Sequence, residues 1–323
     1  MVMEKTSGVK AREVLVIGGN RYFGKRLIAR LLAAGDRVTV LNRGSSAPPP
    51  GAVHLIADRT DERSLTEALG PRTFDVVVDQ VCYTPRQAEI ARRVFTGRTR
   101  RHVMTSTVEV YEYEDSAAPV EETALDPRTV TVDLGLPWEE PEFIESHYGE
   151  GKRQAEAVLA ADPEFPYVAV RVAHVLGGAD DFTGRLDLPH SRLRSRGGTP
   201  IATRIRAAEP IAVPVTDRSA TYIHVEEIAD FLFWASGEDF TGPVNAASNG
   251  RLTTRDLCAA IAAHIPQGRT VFQEVEVGEV SPFSFTRSYG MDNSRAARLG
   301  FPFGDVRQWL PTAVAETLGK DGR

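Results

Sequence analysis

The heptapeptide Gly18-Gly19-Asn20-Arg21-Tyr22-Phe23-Gly24 constrains the fold more than any other part of the chain. It follows a short apolar, β-rich run, Glu13–Gly18. It opens Phe23–Ala34, where Leu27, Ile28, Leu31 and Leu32 recur at helical spacing. A glycine turn between a strand and a helix reverses the chain tightly and lets the helix pack close to the strand. It also aims the unpaired N–H groups of the helix N-terminus at an anion. The context implies a dinucleotide-binding unit, with these seven residues around the pyrophosphate. Arg21 takes the place of a middle glycine, so its side chain must point outwards, where it can meet a phosphate.

The alternation continues. Arg37–Leu41 and Ala52–Ile56 read as strands, Glu62–Leu69 as a helix, and Phe74–Gln80 as a strand buried on both faces. Arg86–Phe95 reads as a helix, His102–Ser106 as a strand, Gly149–Ala161 as a helix and Pro166–Val172 as a sixth strand. Strands alternating with helices build βαβ units. The expected class is α/β, a Rossmann-type doubly wound parallel sheet. A chain of 323 residues is long for one core. After Val172 the pattern loosens, and Gly177–Pro214 is rich in Gly, Arg and Pro. Tyr222–Val225 and Pro243–Ala246 then read as strands, and Glu226–Ala235 and Thr253–His264 as helices, while Ala296–Leu299 and Val306–Leu318 close the chain. We expect a dinucleotide-binding domain over 1–172, also receiving roughly 215–250, and a smaller C-terminal α+β substrate lobe over 173–323.

The composition, 42% hydrophobic and 25% charged, is that of a globular protein. The longest apolar runs, such as Phe74–Val81 and Ile228–Ala235, fall far short of the ~20 residues that span a bilayer. The first residues, Met-Val-Met-Glu-Lys-Thr-Ser-Gly, carry no apolar leader. Two cysteines, Cys82 and Cys258, cannot build a disulfide framework. These features point to a cytoplasmic protein with no membrane partner. No His, Cys and Asp grouping has metal spacing, so no metal is expected.

The net charge of −6 hides an asymmetry. Glu109–Glu145 holds twelve Asp or Glu against one base, Arg128, and the remainder is mildly basic. Such density reads as a solvated loop, or as a rim that screens substrates, since the segment lies between two candidate catalytic residues.

The second strand ends in Leu41-Asn42-Arg43-Gly44. NAD sites usually place an acid there for the adenosine ribose. Asn42 and Arg43, with Arg21 nearby, suit a 2′-phosphate and favour NADP(H), with NAD(H) the alternative. Tyr148 and Lys152, four residues apart at a helix start, share a face. A free phenol, with a pKa of roughly 10, is a poor base at neutral pH. A neighbouring ammonium stabilises the phenolate.

These strings resemble a known family. The glycine turn is similar to the GGxRxxG turn of atypical short-chain dehydrogenase/reductases, including proteins of the chloroplast stem-loop-binding type. Met104-Thr105-Ser106-Thr107-Val108-Glu109-Val110-Tyr111 resembles the SerThrAspGluValTyrGly segment of extended members, the nucleotide-sugar epimerases and dehydratases. Tyr222-Ile223-His224-Val225-Glu226-Glu227 resembles their TyrIleHisValAspAsp helix start. Arg171-Val172 before Gly177 and Gly178, Pro243–Ala246 and Met291–Ser294 match further landmarks, so the resemblance runs most of the chain. It implies that Thr107 hydrogen-bonds the substrate oxygen, that Tyr148 is the general acid/base and that Lys152 holds the nicotinamide ribose. It also implies that Asp58, beside Arg59 and with Asp61 at AspXaaXaaAsp spacing, holds the adenine amino group. Family members often dimerise through two helices, here Arg86–Phe95 and Gly149–Ala161.

This chain departs from the family pattern in three places. The acid that sugar-nucleotide 4,6-dehydratases carry after the Thr is Val108 here, which cannot protonate a leaving hydroxyl. Glu109 matches their following Glu and is a candidate catalytic base or substrate contact. The family's phosphate-binding Arg is replaced by Ala220, with Arg218 the nearest. The fourth strand ends Asp79-Gln80-Val81-Cys82-Tyr83, bulkier than the family's small residues beside the nicotinamide. Gln80 and Val81 join the expected cofactor set, and Tyr83 either lines the substrate site or packs at the strand end. His147, His174 and Arg218 are further candidate substrate contacts. Arg185, Arg192, Arg194, Arg196, Arg204 and Arg206 crowd the second half, and His224 reads as structural.

The leading expectation is an NAD(P)-dependent oxidoreductase moving a hydride between nicotinamide and a carbinol or ketone carbon of a sugar-like or natural-product small molecule. One alternative is a sugar or nucleotide-sugar epimerase with retained NAD. Another, of a different class, is a non-enzymatic dinucleotide- or RNA-binding protein. The absence of a basic stripe interleaved with aromatics argues against nucleic acid.

Overall fold

The structure, a computed structural model, describes residues 11–114, 116–181, 201–276 and 283–319. The first half alternates strand and helix. Its elements are β1 (Glu13–Ile17), α1 (Phe23–Ala33), β2 (Arg37–Asn42), β3 (Val53–Ile56), α2 (Glu62–Leu69), β4 (Val76–Asp79), α3 (Pro85–Phe95) and β5 (His102–Thr107). Three short 3-10 turns and α4 (Pro141–Ser146) occupy the acidic segment, before α5 (Tyr148–Ala160) and β6 (Tyr167–Val172). The second half holds β7 (His174–Leu176), α6 (Ile201–Ala207), β8 (Pro210–Pro214), β9 (Tyr222–His224), α7 (Val225–Ala235) and β10 (Gly242–Ala246). It closes with α8 (Thr254–Ala262), β11 (Val271–Val275), α9 (Ser294–Arg298) and α10 (Val306–Leu318).

Seven parallel strands form one sheet in the order β10-β6-β5-β4-β1-β2-β3. Its inner strands, such as β4 and β5, are buried on both faces, while the edge strand β3 is not. Val14 and Val16 of β1 enter one core layer, while Leu15 and Ile17 enter the other. Helices α1 and α7 cover the first face, and α3 and α5 pack together on the second. This is the Rossmann-like α/β architecture. The order reverses between β1 and β4, so their following loops diverge there and leave a crevice at the carboxyl ends of the strands. A third apolar cluster joins α6, α8 and α10 with β8 and β9.

Local chemistry sets the helix starts. Asp61 accepts from Arg63 and Ser64 N–H, Thr84 caps α3 ahead of Pro85, and Thr253 with Asp256 forms a capping box on α8. His224 caps α7 through Glu226 N–H, a structural role. Sequence reasoning missed α4, α6, β7, β8 and β11. The strands among them are short, and pair only with one another or with β9. Among the described residues no helix is long and apolar enough to cross a membrane.

Part of the acidic segment is not a solvated loop. Arg171 of β6 is fully buried and pairs with the buried Glu156 of α5 at 2.6 Å. Its guanidinium also donates to the Tyr111 hydroxyl at 2.8 Å, Glu122 O at 3.1 Å and Leu125 O at 3.0 Å. The buried Glu122 carboxylate accepts from Asn245 N–H of β10 at 2.8 Å, and the Asn245 amide donates to Val120 O at 3.0 Å. Tyr111, Val120, Glu122 and Leu125 are thus pinned to β6 and β10. Glu121, Glu139, Glu140, Glu142 and Glu145 remain exposed. Replacing Arg171 by Met strands a buried carboxylate. Urea unfolding should therefore show a loss of about 3–5 kcal/mol, and the pair R171M/E156L should lose much less.

Candidate active site

Gly18 and Gly19 take φ of +81° and +77°, a conformation costly for any side chain. A Cβ on Gly24 would lie 2.5 Å from Gly19 Cα and 2.4 Å from Gln80 Oε1. One on Gly18 would lie 2.8 Å from Val81. Gln80 and Val81 therefore press on the turn from β4 and form its floor. The N-terminus of α1 has no side-chain cap and no acid in its first turn, which leaves it open to an anion. Gln80 Nε2 and Asn20 Oδ1 are buried without a hydrogen-bond partner among the described residues. Orphaned polar atoms beside an uncapped helix start fit a polar ligand in the crevice, and a dinucleotide is of that kind.

The other expected cofactor residues divide. Asn20 and Asn42 both donate to Ser46 O, at 2.7 Å and 3.1 Å, and so clamp the loop carrying Arg43 against the turn. Arg43 and Arg21 are exposed. The Asp58 carboxyl is held below its ordinary range by hydrogen bonds from Thr60, with the charges of Arg43 and Arg59 adding to the effect. Asp61 caps α2. Tyr22, at φ 52°, turns its buried ring inwards, and its hydroxyl donates to Gly177 O at 2.7 Å. Phe23 packs beside it. Arg59 is buried beneath the floor, paired with the Asp79 carboxylate of β4.

The start of α5 meets the ends of β4 and β5. This close approach depends on two glycines. A Cβ on Gly149 would lie 2.7 Å from Glu109 O, and one on Gly151 would lie 2.5 Å from Tyr83 O. Glycine costs about 1 kcal/mol inside a helix, so Gly-Glu-Gly at a helix start was a usable signal of close packing. The approach seats Lys152, 1% exposed, beside Thr105, where its Nζ donates to Thr105 O at 2.6 Å. The ammonium lies 4.6 Å from the Tyr83 ring centroid and 5.8 Å from that of Tyr148. The two rings are 6.2 Å apart. Burial lowers the Lys152 pKa to about 8, against the opposing pull of Cys82 and Asp79. Burial likewise pushes the Cys82 thiol up to about 11.

Thr107 Oγ1 accepts from Glu109 N–H at 3.3 Å, which leaves its proton for another acceptor. The Glu109 carboxylate accepts from the Tyr289 hydroxyl at 3.2 Å and lies 3.7 Å from Arg287. Arg287 stacks on Tyr289 at 3.7 Å and donates to Tyr111 O at 2.9 Å. Sequence reasoning missed Tyr289 and Arg287, whose one signal was the Met291–Ser294 landmark just beyond them. Thr107, Glu109, Tyr148, Lys152 and Tyr83 are thus brought together. The remaining substrate candidates make contacts of their own. His147 is exposed, stacked on Phe143 at 4.0 Å. His174 is buried against Phe285 at 5.2 Å, within a cluster that includes Tyr222 and Tyr289. Arg218 is exposed. Arg185, Arg192, Arg194 and Arg196 lie outside the described residues.

The family model for the NAD dependent epimerase/dehydratase family matches residues 14–249. UDP-glucuronic acid decarboxylase 1 of Arabidopsis thaliana is 22% identical over 286 residues, covering 82% of this chain and 61% of that protein. The chloroplast stem-loop binding protein of 41 kDa b from the same plant is 28% identical over 140 residues, covering 38% and 36%. The chain thus spans less than two thirds of the length of either relative. Among solved structures, the UDP-glucose 4-epimerase of Thermotoga maritima with UDP-glucose matches with TM-score 0.67 at 18% identity. That match covers 96% of this chain and 99% of the other, a likeness of fold. The family match runs from β1 past β10, and so takes in the glycine turn, the β4 floor and the Thr107, Tyr148 and Lys152 constellation. The chain belongs to the NAD dependent epimerase/dehydratase family, enzymes of the short-chain dehydrogenase/reductase type.

Proposed function

We propose that this protein is an NAD(P)-dependent enzyme acting on a carbinol or ketone carbon of a sugar-like or natural-product small molecule, with Tyr148 as general acid/base. The observation that carries this reading is the seat of Tyr148 against the Lys152 ammonium, in the crevice that also holds the glycine turn. A bound dinucleotide supplies a hydride donor or acceptor at C4 of its nicotinamide. The chain's own residues do the rest. Gly18–Gly24 and the start of α1 receive the pyrophosphate over Gln80 and Val81. Lys152 holds the ribose and favours the phenolate of Tyr148. Tyr148 takes the carbinol proton in oxidation and returns it in reduction, and Thr107 donates to the same substrate oxygen. Glu109 borders this place as a substrate contact or second base. The neighbouring Val108 offers no acid for expelling a hydroxyl, which argues against 4,6-dehydration.

Net oxidation–reduction with exchangeable NADP(H) and epimerisation with retained NAD use the same residues. The Asn42 carboxamide is occupied by Gly44 N–H and Ser46 O, and the residue after it is Arg43 rather than an acid, which supports NADP(H). The family's own description and the epimerase among the solved relatives support NAD(H) and the epimerase reading. A protein that merely bound dinucleotide or RNA would need no proton relay beside Lys152, which favours the enzyme reading.

Two outcomes check this reading. Tyr148→Phe, assayed on a panel of sugars and sugar nucleotides, should lose about 10²- to 10⁴-fold in turnover while still binding coenzyme. Unchanged turnover would remove Tyr148 from the proton path. The melting temperature should rise more with NADP than with NAD at equal concentration, since a ligand at ~100 times its Kd adds about 2.7 kcal/mol. Arg43→Glu should erase that difference, and a larger rise with NAD in the unaltered protein would favour the retained-NAD reading.

A further inference from the structure

We infer that Tyr83 is a positioning residue of the catalytic pair, its ring face holding the Lys152 side chain charged and in register with Tyr148. The inference rests on the acid/base reading of Tyr148 and adds a third residue to it.

An ammonium has three donors to satisfy. Lys152 is 1% exposed, and its Nζ hydrogen bond among the described residues goes to Thr105 O at 2.6 Å. Of the two aromatic rings beside Nζ, that of Tyr83 is the nearer, at 4.6 Å against 5.8 Å for Tyr148. Cation–π attraction is strongest where water is excluded, as it is here. Tyr83 is also locked from both sides. Its N–H donates to Gln87 Oε1 at 2.6 Å, within the Thr84-capped start of α3. On the other side Gly151 of α5 packs against its carbonyl.

The electrostatic surroundings make this ring face matter. Asp79 at the end of β4 and Glu156 on α5 favour the Lys152 charge, while burial and Arg59 oppose it. Cys82, raised to about 11, is a neutral thiol at physiological pH. Near Tyr148 stand Glu109, whose carbonyl packs on Gly149, and His147, exposed on its own stack. The opposing influences leave Lys152 titrating at about 8, so its charge at neutral pH has a narrow margin. Loss of the ring face should let Lys152 lose its proton at lower pH. Tyr148 would then lose its cationic neighbour and hold its own proton to higher pH.

The test is an ultraviolet titration of tyrosinate in the full chain without coenzyme, so no substrate is needed. Of the eight tyrosines, one should titrate early, and Tyr148→Phe should remove that step. Tyr83→Phe keeps the ring and should keep the midpoint. Tyr83→Leu should raise it by about one pH unit. Fluorinated phenylalanines at position 83 keep the shape and weaken the ring's negative face, and should raise the midpoint stepwise even if the Leu variant does not fold. A midpoint indifferent to ring fluorination overturns the inference and leaves the acid/base reading standing. If Tyr148→Phe removes no early step, the acid/base reading falls and the inference falls with it.

Discussion

A lysine ammonium enclosed where two strand ends meet a helix start is the constraint on which the site depends. Lys152 could be buried at almost any other place only by giving up its charge. Here one carbonyl, two aromatic rings and the distant carboxylates Asp79 and Glu156 keep that charge tolerable. The same enclosure gives the charge its effect, because a cation in a dry setting acts on a neighbouring phenol far more strongly than one in water. Gly149 and Gly151 are the means, since any side chain at either would push α5 away from Glu109 and Tyr83.

The frame around that junction is polar and buried. Beneath the floor, Arg59 and Asp79 tie the loop after β3 to the end of β4. On the other side, Arg171 and Glu156 tie β6 to α5, and through Glu122 and Asn245 to β10. Ser106, next to Thr107, donates to the same Glu156 carboxylate. Buried pairs of this kind give little net stability but are costly to break. They hold Thr107 and α5 in fixed relation, as the proposed proton relay would require.

Local patterns carried much of this into the sequence. The apolar run Glu13–Ile17, the glycine turn and the helical spacing of Leu27, Ile28 and Leu31 are properties of neighbouring residues, and they announced β1, the turn and α1. The spacing of Tyr148 and Lys152 was legible for the same reason. Contacts between distant segments were not. Nothing near Glu109 announces Tyr289 and Arg287, which meet it only once the chain has folded. Charge density suggested a solvated loop over Glu109–Glu145, yet Glu122 is buried because Asn245, more than a hundred residues later, offers it an N–H. Strands β8 and β11 each lack strong periodicity and exist by pairing with one another.

On the proposed function, the glycine turn and the Tyr148–Lys152 pair serve one bound dinucleotide. A crystal structure of the protein saturated with NADP or NAD tests it most directly. Pyrophosphate should lie over Gly18–Gly24, ribose hydroxyls within hydrogen-bond distance of Lys152 Nζ, and the nicotinamide ring beside Tyr148. A coenzyme whose nicotinamide lies away from Tyr148, or a turn left empty at saturating coenzyme, would contradict it.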